Sequence, residues 1–192
     1  IFCLVQRFDR WSVGSLLLFA VGVLLRIKGG DWFVDSAVGI AKRIKDVCNV
    51  KSVIHMPCLN MTKNDATFVL EEFQKAGIEN ILALRGDKVE GKEPANEFLH
   101  AEDLIKFIKD FDSKRTDGKS FNIFGACYPE LHPESKSVYD DIDFLKRKVD
   151  AGASHLLSQL FFDNEKFYRF LERCRIKGIN VPIEAGIMPA TN

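Results

Sequence analysis

Four short apolar runs in this chain each stop at a side chain able to bind or react. Val53-Ile54 leads to His55, Ile81-Leu82-Ala83-Leu84 to Arg85-Gly86-Asp87, Ile123-Phe124-Gly125-Ala126-Cys127 to Tyr128, and His155-Leu156-Leu157-Ser158 to Gln159. A cation and an anion flanking a glycine can clamp a polar ligand, and an amide can donate and accept at once. Singly, each has a bland meaning. Arg85 and Asp87 could form a surface ion pair worth ~0–1 kcal/mol, His55 could be a hydrogen-bonded core residue, and Tyr128-Pro129 a strand terminator. Together they point to a ligand site, because the strands of a parallel barrel deliver their C-terminal ends to one face.

Other chemistries are poorly served. His55 and Cys58 form an H-x-x-C without the second pair that zinc requires, and Ser154-His155 lacks the G-x-S-x-G elbow of a hydrolase. No lysine stands at the inner end of a strand, which argues against a Schiff-base lyase. No G-x-G-x-x-G or P-loop pattern appears, so an open doubly wound sheet is the weaker rival. The formal net charge of zero gives no basic footprint for nucleic acid or for an anionic membrane. The apolar run from Leu16 to Leu25 is about half of the ~20 residues a membrane helix needs, and Arg26-Ile27-Lys28 follows it in place of a small-residue cleavage site. It is expected to be a buried strand. Cysteines at 3, 48, 58, 127 and 174 are odd in number and scattered, which fits reduced thiols in a cytoplasmic protein. Asn60-Met61-Thr62 matches a glycosylation sequon by chance.

The elements that must position these residues follow from periodicity. With 192 residues, 46% of them hydrophobic, the chain can bury a substantial core. Helical stripes are expected over Asn64 to Ala76 with Asn64 as N-cap, Ala101 to Phe111, Val138 to Ala151, Asn164 to Lys177, and, less regularly, Asp35 to Cys48. Strands are expected near Ser52 to Met56, Asn80 to Leu84, Asn122 to Cys127, His155 to Gln159 and Pro182 to Ala185. These runs are apolar on nearly every residue and need cover on both faces, the mark of a parallel sheet in alternating βα order. Asp112 to Ser120 reads as a surface loop. The chain starts at Ile1 and stops just after a strand pattern, so it is expected to be one partial domain, residues 1–192, of something longer.

The text of these blocks resembles the methylenetetrahydrofolate reductase family. The matching stretches are Ile54-His55-Met56-Pro57-Cys58, Ala76-Gly77-Ile78-Glu79-Asn80-Ile81-Leu82-Ala83-Leu84-Arg85-Gly86-Asp87, Ala126-Cys127-Tyr128-Pro129-Glu130-Leu131-His132-Pro133-Glu134, Leu145-Lys146-Arg147-Lys148-Val149-Asp150-Ala151-Gly152-Ala153, Gln159-Leu160-Phe161-Phe162 and Gly186-Ile187-Met188-Pro189. They occur in the family's order over roughly residues 41–192. The resemblance implies an α/β fold, a (β/α)8 TIM barrel, here incomplete, with its first strand and last two strands missing or altered. It also implies an oxidoreductase of one-carbon and methionine metabolism that reduces 5,10-methylenetetrahydrofolate to 5-methyltetrahydrofolate, with FAD as cofactor and NADH or NADPH as electron donor. Carried over by motif, His55, Arg85, Gly86, Asp87, His100, Ala101, Tyr128, His132, Asp141, Arg147 and Lys148 would contact FAD. Asp87 and Gln159 would be the catalytic and folate-facing pair.

Departures from the family pattern set up the alternative. His100 stands where the family commonly has Tyr, and Phe144 replaces a polar position on the helix expected to hold FAD. In the segment Ser15 to Ser36 only Gly29-Gly30 resembles the family's glycine-rich strand end, and the N-terminal Phe-Glu-Phe-Phe-Pro-Pro motif that supplies a general acid is absent. The competing expectation is a catalytically inactive fragment or interaction module of the same fold. Its open barrel would expose sheet edges and drive homo-oligomerisation or aggregation.

Overall fold

A computed structural model describes residues 2–7, 18–21, 27–28, 31–32, 34–49, 51–87, 94–132 and 134–187. Among the described residues, nine strands and five helices follow in the order β1 Phe2–Arg7, β2 Leu18–Val21, β3 Ile27–Lys28, β4 Asp31–Trp32, α1 Val34–Cys48, β5 Ser52–Pro57, α2 Lys63–Lys75, β6 Asn80–Leu84, α3 Ala101–Ser113, β7 Asn122–Cys127, α4 Val138–Asp150, β8 His155–Ser158, α5 Asn164–Ile176 and β9 Ile183–Ile187. From β5 onward strand and helix alternate, and β5 to β9 pair in parallel in sequence order. β2, which falls within the apolar run from Leu16 to Leu25, joins β5 in parallel.

The sheet closes. β1 runs antiparallel to both β2 and β9, so seven strands form one ring and the edges expected of an incomplete barrel are paired through β1. β3 and β4 form a separate two-stranded ribbon. The expected Gly29-Gly30 strand end, like much of the altered segment 15–36, lies outside the described residues.

Alternation along the strands divides the core in two. Val53, Leu82, Phe124 and Leu157 form one cluster, with Leu84 and Ala126 packed against it. These residues share one face of consecutive parallel strands, which in a closed ring is the interior. Their neighbours Ile54, Met56, Ile81 and Ile123 pack outward with Val69, Leu70, Phe73, Leu104, Ile105 and Ile108 from α2 and α3. Each large apolar side chain buried this way contributes ~1.5–3 kcal/mol. A second outward cluster joins Leu145 of α4 to Leu156 of β8 and to Phe167, Phe170 and Cys174 of α5. Both faces are therefore covered, which is why the strands carry unbroken apolar runs.

The helix starts follow capping chemistry. Thr62, rather than the expected Asn64, caps α2. Its hydroxyl accepts from Asp65 N–H, while the Asp65 carboxylate accepts from Thr62 N–H at 2.9 Å. The pairing is reciprocal and Asn64 lies inside the first turn, so the threonine wins. Ser137 caps α4 by accepting from Asp140 N–H, and Asp163 caps α5 by accepting from Glu165 and Lys166 N–H. The expected loop from Asp112 is partly helical, since α3 runs to Ser113. There Arg115 pairs with Asp112 and Asp117 and lies over the Phe121 ring at 4.7 Å. No described helix is long and apolar enough to cross a membrane.

Candidate functional site

The strand ends are tied to one another before any ligand is considered. Cys58 N–H donates to the carbonyls of Leu84 and Arg85 at 3.0 and 3.2 Å, and Leu59 N–H donates to Arg85 at 2.8 Å. The loop after β5 thereby holds the loop after β6. Asn60 adds a side-chain bond to the Asp87 carbonyl at 3.2 Å, a role that its sequon reading did not suggest. Between these ties Gly86 adopts φ +79°, and a Cβ there would meet the Pro57 Cβ at 2.8 Å. Only glycine serves a left-handed turn so close to a neighbouring ring.

Turned by this loop, Arg85 reaches across to the segment after β7. Its guanidinium donates to Glu134 at 2.6 Å, and that bond holds the Glu134 carboxyl below its ordinary pKa. Glu134 N–H donates to His132 Nδ1 at 3.1 Å, and the His132 ring meets Tyr128 edge-on with centroids 4.4 Å apart. Burial raises the Tyr128 phenol, which stays protonated at neutral pH.

α4 supplies the opposite wall. Near its start Asp141 accepts from the Ser135 hydroxyl at 3.0 Å. One to two turns later, Arg147 pairs with Glu102 of α3 at 3.2 Å and lies 4.6 Å from the centroid of the Phe144 ring. Lys148, on the adjacent side, donates to the Ala126 carbonyl of β7 at 2.8 Å, and burial lowers its pKa. No lysine lies on a described barrel strand, yet one reaches a strand end from a helix. His100 precedes α3, its N–H donating to Asp103 at 2.9 Å, and Ala101 opens that helix.

These walls enclose a cleft of ≈ 370 Å³. Of the residues expected to bind a ligand, Arg85, His100, Ala101, Tyr128, His132, Asp141, Arg147 and Lys148 line it, and His55, Gly86, Asp87 and Gln159 do not. His55 shares the barrel-interior face of Val53, where burial lowers its pKa and leaves Nε2 without a hydrogen-bond partner. Gly86 shapes the turn, while Asp87 just beyond it and Gln159 after β8 are both exposed. Gln159 is positioned by its backbone, whose N–H donates to Cys127 at 2.7 Å.

Sequence reasoning missed Glu102, Glu134 and Ser135, which also line the cleft. Glu134 closes the matching block after Tyr128, so its signal was present but unread. Glu184 was missed as well. It is 1% exposed on β9 in register with Leu157 of the interior cluster, and its signal was a charge inside an apolar strand. Among the described residues no group of three His, Cys, Asp or Glu side chains is placed to hold a metal ion.

The cleft brings cations, a carboxylate and rings together. Arg85, Arg147 and Lys148 can offer charge-assisted hydrogen bonds to phosphate, Asp141 can accept from sugar hydroxyls, and Tyr128, His132 and Phe144 present ring surfaces. The buried Nε2 of His55 is a polar atom left for a ligand or water at the barrel mouth.

Comparison with known proteins bears on the family and the fold. A sequence profile described as methylenetetrahydrofolate reductase matches residues 4–192. The chain is 38% identical over 158 residues to 5,10-methylenetetrahydrofolate reductase of Escherichia coli K12, covering 82% of this chain and 50% of that protein. It is 39% identical over 176 residues to methylenetetrahydrofolate reductase (NADH) 1 of Arabidopsis thaliana, covering 85% and 29%. The chain thus spans about half the length of the bacterial relative and less of the plant one. Among solved structures, a putative lyase/mutase from Burkholderia cenocepacia aligns with TM-score 0.56 at 14% identity, covering 85% of this chain and 56% of that one. A 2,3-dimethylmalate lyase aligns with TM-score 0.55 at 10% identity, covering 73% and 46%. At such identities these structures speak for the α/β barrel-like fold alone. The profile match over nearly the whole chain decides the family: the chain belongs to the methylenetetrahydrofolate reductases.

Proposed function

We propose that this chain forms the flavin-binding part of an enzyme that reduces 5,10-methylenetetrahydrofolate to 5-methyltetrahydrofolate with electrons from NADH or NADPH. The observation that carries this reading is the convergence of Arg85, Arg147 and Lys148 with Tyr128 and His132 in one cleft at the C-terminal ends of parallel strands. FAD fits that donor set, and when bound it would supply a two-electron carrier between nicotinamide and folate.

The chain's own residues would do the rest. Lys148 and Arg147 would bind the pyrophosphate, Asp141 a ribose, and Arg85 would give up part of its bond to Glu134 to a ligand oxygen. Tyr128, His132, His100 and Ala101 would shape the wall. His55 would place its free Nε2 against the flavin, and Gly86 would let the Arg85 to Asp87 turn approach closely. Asp87 would favour a cationic form of the folate by placing a carboxylate beside it. Gln159 would hydrogen-bond folate or nicotinamide through an amide that donates and accepts. The unpaired thiols Cys58, Cys127 and Cys174 support a cytoplasmic setting.

The test is NAD(P)H oxidation by FAD-loaded protein, first with an artificial acceptor and then with 5,10-methylenetetrahydrofolate. Flavin reduction by the nicotinamide followed by folate-dependent reoxidation is the expected result. Flavin that binds but is reduced by neither nicotinamide would overturn the assignment.

A further inference from the structure

Tyr128 and Asp141 line a further cavity, of ≈ 290 Å³, whose other walls are the loop after β7, the start of α4 and one face of α5. None of Arg85, Arg147 and Lys148 reaches it. Its apolar side is built from Pro129 and Leu131 of the loop, Val138 and Ile142 of α4 and Phe170 of α5. Leu131 is held at φ +80°, a backbone region that a leucine rarely adopts, in a turn closed by its N–H donating to the Tyr128 carbonyl at 3.3 Å. Such a conformation persists only where the surrounding structure fixes it, and here it keeps an apolar side chain on the cavity wall.

The polar side is cationic. Lys166, Arg169 and Arg173 follow at i, i+3 and i+7, so they share one face of α5. The nearby carboxylates do not use them up. Glu130, which also lines the cavity, pairs with Lys166 at 3.3 Å, Glu165 pairs with Arg169 at 3.4 Å, and Asp141 accepts from the Ser135 hydroxyl at 3.0 Å. Arg173 is half-buried and takes part in no ion pair among the described residues. A half-buried guanidinium without a carboxylate, set beside an apolar wall, complements a ligand with a hydrocarbon body and an anionic head.

We infer that the cavity between α4 and α5 is a ligand site separate from the flavin cleft, and that it takes a small amphipathic anion. Arg173 holds the carboxylate or phosphate head, Arg169 shares it by loosening its exposed bond to Glu165, and the apolar body lies against Val138, Ile142 and Phe170. The inference does not depend on the flavin reading.

The test is calorimetric titration of the full chain with octanoate, octyl phosphate, octanol and acetate. Octanoate should bind saturably and about tenfold more tightly than octanol, because the alcohol lacks the charge-assisted bond. Acetate, which lacks the body, should not saturate where octanoate does, and the tighter of octanoate and octyl phosphate identifies the head group. Arg173→Met should weaken octanoate about tenfold with thermal unfolding unchanged. Arg169→Met should weaken it in the same direction, and Lys148→Met should leave it within twofold. No saturable octanoate binding, or octanol binding as tightly as octanoate, would overturn the inference. Octanoate affinity that falls in Lys148→Met but not in Arg173→Met would place the anion in the flavin cleft and overturn it as well.

Discussion

Replacing Lys148 with methionine separates two effects of one buried cation that have opposite signs. Lys148 Nζ spends one of its three N–H groups on the Ala126 carbonyl at 2.8 Å and lines the cleft with the others available. Its stem runs past β7, its Cδ 3.6 Å from where a Cβ on Gly125 would lie, so methionine can retain the packing while removing the charge. A charge-assisted hydrogen bond contributes roughly 1.5–3 kcal/mol. Taking the lower half of that range for a partly buried group, Lys148→Met should weaken FAD about twelve- to fortyfold.

The free protein should respond the other way. Burial lowers the Lys148 pKa from the ordinary 10.5, so the folded state disfavours the charged form. The resulting penalty is fully present below the lowered folded pKa and is relieved as pH rises through the window up to the unfolded value. In that window the unfolded chain binds more protons, and this group makes stability increase with pH. FAD affinity should fall across the same window, because the anionic ligand needs the proton that folding alone disfavours. Fluorescence titration and thermal unfolding from about pH 7 to about pH 10 should therefore show weaker FAD binding in Lys148→Met, no loss of Tm without ligand, and a flattened pH dependence of both. FAD affinity within twofold of the parent would refute the placement of a ligand phosphate at this ammonium.

Three further outcomes follow from the fold. Thr62→Ala removes the reciprocal cap of α2 and should cost about 1 kcal/mol in urea unfolding, with FAD affinity unchanged; a cost near zero would show that Asp65 caps the helix by itself. Phe73→Ala empties a site of 0% exposure between α2 and the sheet and should cost about 3–5 kcal/mol by the same assay. Burial pushes the Cys58 and Cys174 thiols up to about 12 and raises Cys127 as well. In the native protein at neutral pH all three should resist alkylation, read residue by residue by mass spectrometry, and label on denaturation; fast native labelling of any of them would contradict its burial.

What could be seen in the sequence divides along physical lines. The strands from β5 to β9 were legible because burial on both faces writes a continuous apolar run, and α2 to α5 because one buried face writes a 3.6-residue stripe. Closure of the ring was not legible. It depends on β1 turning antiparallel to meet both β2 and β9, a long-range pairing with no local signature. The cap of α2 was misassigned to Asn64 because residue type alone does not show which oxygen the Asp65 carboxylate answers.

The site shows the same division. Arg85 and Tyr128 stand where apolar runs break, so their positions could be read directly. Lys148 could not be placed that way, because it comes from a helix face and only the packing of α4 on β7 brings its ammonium to a strand end. The roles of Glu134 and Glu102 were hidden for a related reason, although Glu134 itself stands in the matching block. Each matters through the cation it holds, Arg85 or Arg147, and those pairings exist only in the folded chain.

The most direct measurement is the absorption spectrum of the purified chain after incubation with FAD and removal of free flavin. A bound flavin spectrum, lost in Lys148→Met at the same loading, is the predicted result. A folded protein, verified by circular dichroism, that retains no flavin at saturating FAD would contradict the central claim that the cleft between α3 and α4 is a flavin dinucleotide site.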